Sequence, residues 1–302
     1  MHTQSTEKWQ HPHAFIGAAH GRNERKTWAV VALASAMMVG EIAGGLLFGS
    51  VALVADGLHM STHAGALLIA ALAYLLARRY VGDPRFAFGT GKFGDLAGFT
   101  SAIVLAMIAL LIGGEAVTRL LNPASIAFAE ALPIAALGLA VNLASAFLLH
   151  DGDDHHGEEE AHQHDLNLRA AYVHVLADAV TSLLAILALS LGWAFGWSWT
   201  DPLAGLAGAL VIANWSWGLV RQAGAVLLDT TPDRALAGRI RRTLEAAGDR
   251  VTDLHLWRIG PGHCSAVISL VSHRPQAPAA YKAQLAAIGG LSHVTVEVET
   301  CD

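Results

Sequence analysis

The chain is short of charged residues and of cysteine, and each shortage excludes a class of protein. Only 15% of its 302 residues are charged, whereas a soluble domain usually has about 25%. With 19 lysines and arginines and a net charge of -6, the chain is not expected to bind nucleic acid. Its two cysteines, Cys264 and Cys301, form no CxxC spacing, which excludes a disulfide framework and a zinc finger.

Apolar sequence, in contrast, is abundant. Hydrophobic residues make up 54% of the chain and the mean hydropathy is +0.44, which is typical of a membrane protein. A helix needs about 20 mostly apolar residues to cross a bilayer. Six stretches are long enough, at Thr27–Phe48, Ala52–Ala77, Leu96–Leu121, Ala129–Leu149, Leu168–Phe195 and Pro202–Leu227. We therefore expect an all-α bundle of six transmembrane helices in the lipid bilayer.

The distribution of basic residues predicts the orientation of this bundle. One side carries Arg22, Arg25, Lys26, Arg78, Arg79, Arg85, Lys92, Arg169 and Arg221, and the other has only Arg119 nearby. Because basic loops stay in the cytoplasm, both termini are expected there, in a multi-pass protein. The N-terminus lacks the apolar core of a cleaved signal peptide, so the first stretch should remain as an anchor.

Composition and hydropathy pattern divide the chain into three regions. Residues 1–26 form a histidine-containing cytoplasmic tail, residues 27–228 the transmembrane domain, and residues 229–302 a small cytoplasmic α+β domain. Amphipathic and alternating patterns predict the order αββαβ for the third region, at Arg234–Ala247, Val251–Ile259, Ser265–Val271, Ala277–Ile288 and His293–Val298.

Two pairs of potential metal ligands lie inside predicted spans. His59 and His63 are four residues apart in the second span, and His174 and Asp178 are four apart in the fifth. Each pair shares one helix face, and ionisable side chains in a bilayer normally face a partner or a water-filled cavity. Together they can form a four-ligand site for a divalent metal. Hydrogen bonds that only join the helices are the alternative.

Further polar residues in the spans have two interpretations each. Asp56 lies close to the face of His59 and is a possible accessory residue of the site, or a hydrated acid near the helix start. Glu41 is either a further accessory residue or a partner of a neighbouring helix. Asn142 is expected to bond a neighbouring helix. An intramembrane metallohydrolase is disfavoured, because Met60 replaces the glutamate that an HExxH motif uses as general base.

Histidines outside the spans could also bind metal. The acidic, histidine-rich loop 150–165 carries His150, His155, His156, His162 and His164, a composition that suggests weak metal capture or simply a solvated linker. In the C-terminal region, His255, His263 and His293 are possible ligands of a regulatory metal, and surface strands are the alternative.

These residues lie in motifs that resemble the cation diffusion facilitator family of metal/proton antiporters. Residues 49–59 (GSVALVADGLH) look like its second-helix signature, residues 88–92 (FGTGK) resemble its second-to-third loop, and residues 253–257 (DLHLW) are similar to a strand of its cytoplasmic domain. The resemblance implies six spans, a ferredoxin-like cytoplasmic domain, a homodimer and exchange of one divalent metal for protons by alternating access. It assigns the transport site to His59, His63, His174 and Asp178.

Departures from the family pattern bear on the transported ion. The zinc-exporting branch usually has Asp where this chain has His63. Because nitrogen-rich sites suit Co²⁺, Ni²⁺ and Zn²⁺, the chain resembles the cobalt- and nickel-exporting bacterial branch of the inner membrane. No permanently bound cofactor is expected. A Zn²⁺/Cd²⁺ exporter and a membrane metal sensor without flux remain the alternatives.

Two accessory metal sites of the family are incomplete in this sequence. In the loop after the second span, histidines of other members are replaced by Phe86 and Thr90, which leaves Asp83. In the cytoplasmic domain, Thr252 replaces a histidine of the zinc members.

Overall fold

The computed structural model describes residue 15 and residues 19–48, 51–122, 128–150, 166–197 and 199–301, with the backbone alone at 41, 44–48, 51–59, 61–63 and 128–130. Within these residues, the first part of the chain forms six long helices: α1 His20–Phe48, α2 Val51–Arg79, α3 Phe93–Leu121, α4 Phe128–Leu149, α5 Leu166–Phe195 and α6 Thr200–Leu227. The second part follows in the order α7 Arg234–Glu245, β1 Arg250–Gly260, β2 His263–Ser272, α8 Pro278–Leu285 and β3 Leu291–Thr300.

Four helices of the described part are long and apolar enough to cross a membrane, namely α3, α4 from Ala131, α5 and α6. With 29 residues, α3 extends over about 43 Å, more than the roughly 30 Å of a hydrocarbon core. Large apolar side chains cover the outside of these helices. Leu110, Phe147 and Trp217 expose 76%, 82% and 64% of their surface, which suits contact with lipid. The helical membrane domain is thus confirmed at this level.

Helix α1 begins at His20, earlier than the predicted Thr27. Its polar first turns do not need apolar surroundings, because they pack against the polar end of α2. The carboxylate of Glu24 is buried 3.2 Å from the guanidinium of Arg78, and Nε2 of His20 lies 2.9 Å from the carbonyl oxygen of Tyr74. Hydropathy alone misses such an extension, since these residues lie outside the apolar run.

Small side chains let the helices approach closely, as is usual for helices in a membrane. One buried cluster joins α1, α2, α4 and α5 through Val30, Val31, Ala34, Ala64, Leu67, Ala70, Ala71, Ala146, Leu149, Leu168, Ala171 and Val175. Side-chain hydrogen bonds to backbone carbonyls reinforce the contacts. Asn167 of α5 donates to Ala70 of α2 at 2.8 Å, and Ser216 of α6 donates to Ala102 of α3 at 2.5 Å.

The C-terminal domain is a three-stranded sheet with two helices. The strand order is β1-β2-β3, with β1 antiparallel to β2 and β2 parallel to β3. The parallel pair is possible because α8 forms the crossover between β2 and β3. Leu244 of α7, Ile268 of β2 and Tyr281 of α8 are almost fully buried in its core. The predicted order αββαβ agrees with these elements.

The C-terminal domain docks on the loop between α2 and α3. Arg258 of β1 lies 3.7 Å from the carboxylate of Asp95 in the first turn of α3, and only 1% of that carboxyl side chain is exposed. The ring of Phe88 meets the rings of Trp257 and His293 edge-on, at centroid distances of 5.4 Å and 5.5 Å. A buried ion pair and an aromatic cluster therefore join the two domains.

Two glycines allow the backbones to touch at this junction. A methyl group on Gly91, before α3, would lie 2.3 Å from the carbonyl oxygen of Ile259. One on Gly260, at the end of β1, would lie 2.1 Å from the carbonyl oxygen of Phe15. Both neighbours are backbone atoms that cannot rotate away, so the contact requires glycine at both positions.

We expect Gly91→Ala and Gly260→Ala to lower the melting temperature of the purified chain, because overpacking at a rigid contact costs about 1–3 kcal/mol. Gly238→Ala in α7 is the matched control, since nothing lies within 4 Å of its added methyl group. A helical alanine there should be neutral or stabilising. Equal melting temperatures for all three variants would contradict the close contact.

His263 at the start of β2 is a half-buried titratable group near the same junction. Its ring centroid lies 5.6 Å from that of Phe15, and its Nδ1 lies 2.7 Å from Oγ of Ser292. Burial lowers the pKa of His263 below the ordinary value of 6.5. Just below pH 6.5 the unfolded chain therefore binds more protons than the folded chain, so acidification removes stability.

The wild-type chain should accordingly lose thermal stability as the pH falls from about 7.5 to about 5.5, whereas His263→Asn should lose less over that range. Asparagine remains polar but does not titrate. Melting curves at several pH values test this, with His273→Asn as control because that histidine is exposed. The inference is wrong if His263→Asn follows the wild type at every pH.

Candidate metal centre

Helix α5 carries the two predicted ligands whose side chains the structure describes. His174 and Asp178 lie one turn apart, with 3.8 Å between Nε2 and Oδ2. Only 2% of the imidazole and 13% of the carboxyl side chain are exposed. An imidazole and a carboxylate on one helix face, in the interior of an apolar bundle, provide two ligands that suit a divalent transition metal.

The other predicted ligands belong to α2. His59, His63 and Asp56 all lie within this helix, which packs against α5. Their side chains lie outside the described residues, as does the side chain of Glu41 in α1. Within the described part of the chain, no group of three or more His, Cys, Asp or Glu side chains could hold a metal. The four-ligand site therefore stays a prediction.

A cavity of about 660 Å³ leads to Asp178. Its lining comprises Met60, Leu105, Ile108, Leu111, Ile112, Glu115, Ala116, Arg119, Ile134, Ala135, Gly138, Asn142, Asp178, Thr181, Ser182, Ala185, Asp201, Pro202, Ala204, Gly205 and Ile212. Met60 belongs to α2, and the other residues come from the middle and second half of α3, the first half of α6, and α4 and α5 between them. The cavity consequently occupies the half of the bundle opposite the C-terminal domain.

Polar side chains continue the cavity wall beyond Asp178. Thr181 donates to the carbonyl oxygen of Asp178 at 3.0 Å, and Asn142 of α4 donates to Ser182 of α5 at 3.4 Å. The predicted interhelical bond of Asn142 is therefore present, and the same amide also faces the cavity. Together with the Asp178 carboxylate, these groups form a partly polar wall of the cavity.

Three charged residues of the cavity were not singled out as site residues from the sequence. Glu115, Arg119 and Asp201 lie near its outer end, where Arg119 forms ion pairs with both acids. Two features of the sequence could have pointed to these residues. Glu115 and Arg119 have the i,i+4 spacing of a helical ion pair, and Asp201 directly precedes the proline in the first turn of α6.

The accessory residues of the α2–α3 loop have structural partners. The hydroxyl of Thr90 donates to the carbonyl oxygen of Ala77 at 2.8 Å, and the ring of Phe86 packs between those of Tyr80 and Phe93. Asp83 pairs with Arg85 at 2.7 Å, and this hydrogen-bonded guanidinium lowers the pKa of Asp83. Phe86, Thr90 and Asp83 thus contribute to the structure of the loop.

The histidine-rich loop is described only at His150. The carbonyl oxygen of His150 accepts a hydrogen bond of 2.9 Å from Lys26, and its ring lies 6.1 Å from that of Tyr172. The remaining candidates of the loop lie outside the described residues: His155, His156, His162 and His164. Metal capture by this loop stays a prediction.

The three histidines of the C-terminal domain have different partners. Nε2 of His255 lies 2.7 Å from the carboxylate of Asp253 on an exposed part of β1, whereas His263 contacts Ser292 and His293 contacts Phe88. Burial raises the pKa of the neighbouring Cys264 thiol, which makes it a poor metal ligand near neutral pH. A metal site of this domain also stays a prediction.

Comparisons with known proteins agree with this architecture. Residues 27–228 match the family model of the cation efflux transmembrane domain. A "Cadmium, cobalt and zinc/H(+)-K(+) antiporter" of Bacillus subtilis (strain 168) is 32% identical over 294 residues, which cover 93% of this chain and 92% of that protein.

Two further relatives cover most of the chain. The "Zinc transporter ZitB" of Escherichia coli (strain K12) is 34% identical over 83% of this chain and 78% of its own length. The "Cation efflux system protein CzcD" of Alcaligenes sp. (strain CT14) is 29% identical over 94% of this chain and 90% of its own. Since the family model covers most of the helical bundle and relatives match almost the full chain, this protein belongs to the cation efflux family.

Proposed function

We propose that the chain exports divalent transition-metal ions from the cytoplasm in exchange for protons. The observation that carries the proposal is the cavity that reaches Asp178, beside His174, from one end of the bundle. A buried imidazole–carboxylate pair provides metal ligands, and we infer that the cavity gives the ion a path toward the side of the membrane away from the C-terminal domain. The proposed transport site consists of His59, His63, His174 and Asp178.

The proposed topology has six spans and both termini in the cytoplasm of a bacterial inner membrane. Support comes from the basic residues at the end of the bundle that carries the C-terminal domain, among them Arg78, Lys92 and Arg169, because basic segments remain cytoplasmic. The C-terminal region 229–302 is then a cytoplasmic, ferredoxin-like domain, and the functional unit is a homodimer, as the family resemblance implies.

The proposed mechanism couples metal binding to proton release. Metal arriving from the cytoplasm displaces protons from the imidazoles of His59, His63 and His174, because a metal binds only the neutral ring. An ordinary histidine titrates near pH ~6.5, so metal and protons compete near neutrality. The cavity lies in the half of the bundle away from the C-terminal domain, a position that supports release of metal and uptake of protons on the outer side.

For the transported ion we propose Co²⁺ and Ni²⁺ first, with Zn²⁺ as a further substrate. Three imidazoles and one carboxylate form a nitrogen-rich ligand set that suits these ions over Mn²⁺ and Mg²⁺. The names of the relatives include zinc and cadmium beside cobalt, which supports a second candidate, a Zn²⁺/Cd²⁺ exporter. Both candidates use the same site and differ in its preference.

Asp178→Asn should abolish metal-driven proton movement in proteoliposomes, because the amide keeps the side-chain shape but removes the anionic ligand. We expect metal binding to weaken by more than about 100-fold, beyond the range for losing an outer-shell partner. Ser190→Ala is the matched control in α5, since its hydroxyl bonds only within the helix, to Ile186. Full activity of Asp178→Asn would refute the site. Metal binding without flux in the wild type would instead support a sensor.

His63→Asp tests the preference between the two groups of ions. The change gives the site a second carboxylate, as in the zinc-exporting branch, so the ratio of Co²⁺ to Zn²⁺ transport should fall by about tenfold. His273→Asp introduces the same charge at an exposed position and should leave the ratio unchanged. Growth of a sensitive host on Co²⁺, Ni²⁺, Zn²⁺ and Cd²⁺ provides the measurement. An unchanged ratio in His63→Asp would contradict a role for His63 in selectivity.

A further inference from the structure

At the end of the cavity away from the C-terminal domain, the guanidinium of Arg119 lies between two carboxylates. Arg119, near the end of α3, lies 2.8 Å from Glu115 one turn earlier in the same helix. It also lies 3.8 Å from Asp201 in the first turn of α6. All three residues line the cavity. Glu115 and Arg119 expose 62% and 48% of their side chains, whereas Asp201 exposes 24%, so Asp201 lies deeper.

Arg119 changes the charge that a metal ion meets in the cavity. Among the described lining residues the ionisable groups are Glu115, Arg119, Asp178 and Asp201. With three carboxylates and one guanidinium, the formal charge is -2, and it would be -3 without Arg119. The other walls are largely apolar, with residues such as Leu111 and Ile134. Low-dielectric walls concentrate the field of the charges that remain.

The charges at the mouth are close enough to act on a metal ion along the length of the cavity. Along α6, the lining extends from Asp201 to Ile212, which corresponds to about 16 Å at 1.5 Å per residue. A unit charge within this range changes the occupancy of a divalent cation by about threefold or more, depending on the local dielectric. The charge of Arg119 is therefore large enough to influence release.

Holding α3 and α6 together does not account for Arg119. The two helices already pack along their length, and the buried hydroxyl of Ser216 bonds the carbonyl oxygen of Ala102 across them. Exposed ion pairs add little to stability. Helix packing therefore does not explain why the guanidinium lies at the mouth of the cavity.

We propose that Arg119 controls how readily the metal ion leaves the cavity in the export step, a conclusion that rests on the proposed function. Its positive charge offsets Glu115 and Asp201, so that the mouth does not retain a divalent cation that leaves Asp178. The same charge keeps the occupancy of the open cavity by external cations low. Arg119 thus favours release to the outside over recapture, without contacting the ion at its binding site.

The test uses the full chain in proteoliposomes with the C-terminal domain facing the bath, as verified by protease access to that domain. The lumen contains a pH indicator and graded concentrations of Zn²⁺. Zn²⁺ added to the bath starts transport, and protons that leave the lumen raise its pH. The quantity compared is the lumenal Zn²⁺ concentration that halves the initial rate.

Arg119→Gln should lower this half-inhibitory concentration by about threefold or more, because the cavity becomes more negative, and Asp201→Asn should raise it. Arg119→Lys keeps the charge and should behave as the wild type. The bath concentration of Zn²⁺ that half-saturates transport should stay unchanged in all three variants. Opposite shifts for the glutamine and asparagine variants support the proposal.

A purely structural ion pair predicts a different outcome. Breaking the pair from either side would then shift the half-inhibitory Zn²⁺ concentration of Arg119→Gln and Asp201→Asn in the same direction. Provided that the wild type transports Zn²⁺, either this result or the absence of a shift in both variants overturns the proposal. If the wild type itself shows no Zn²⁺-driven pH change, the proposed function fails, and the role of Arg119 fails with it.

Discussion

A carboxylate and an imidazole inside an apolar bundle lose their hydration. The free-energy cost of this loss must be offset by polar or charged groups in their surroundings. His174 and Asp178 meet the constraint by lying one turn apart on α5, at 3.8 Å, and by sharing the bundle interior with polar groups of neighbouring helices. Asp178 lines the cavity in the half of the bundle opposite the C-terminal domain. On the other side, Ala70 of α2 and Ala171 of α5 lie in the same buried cluster as Val175, the chain neighbour of His174.

The C-terminal domain connects to the helices that surround this cavity. Arg258 reaches the buried Asp95 at the start of α3, and Lys92, just before α3, pairs with Asp229, just after α6. The same two helices form much of the cavity wall. The contact between Gly91 and Gly260 is too close to admit a side chain, so the domain and the bundle meet backbone to backbone.

The sequence predicted the parts that depend on local pattern. Long apolar runs indicated the membrane helices, alternation indicated the three strands, and the four-residue spacing predicted that His174 and Asp178 share a face, as observed. It was less accurate where a partner distant in sequence decides. Helix α1 extends back to His20 because Glu24 pairs with Arg78. This partner is not visible in a hydropathy pattern.

Taken alone, the sequence determined the apolar membrane domain, the order of the elements and the candidate ligands, because periodicity and residue chemistry are local properties. The tertiary structure decided which helices pack together, that the cavity lies in the half opposite the C-terminal domain, and that Arg119 and Asp201 meet at its mouth. Those two residues are separated by the whole of α4 and α5. Only the packing of α3 on α6 brings their charges within reach of each other, and hence of an ion in the cavity.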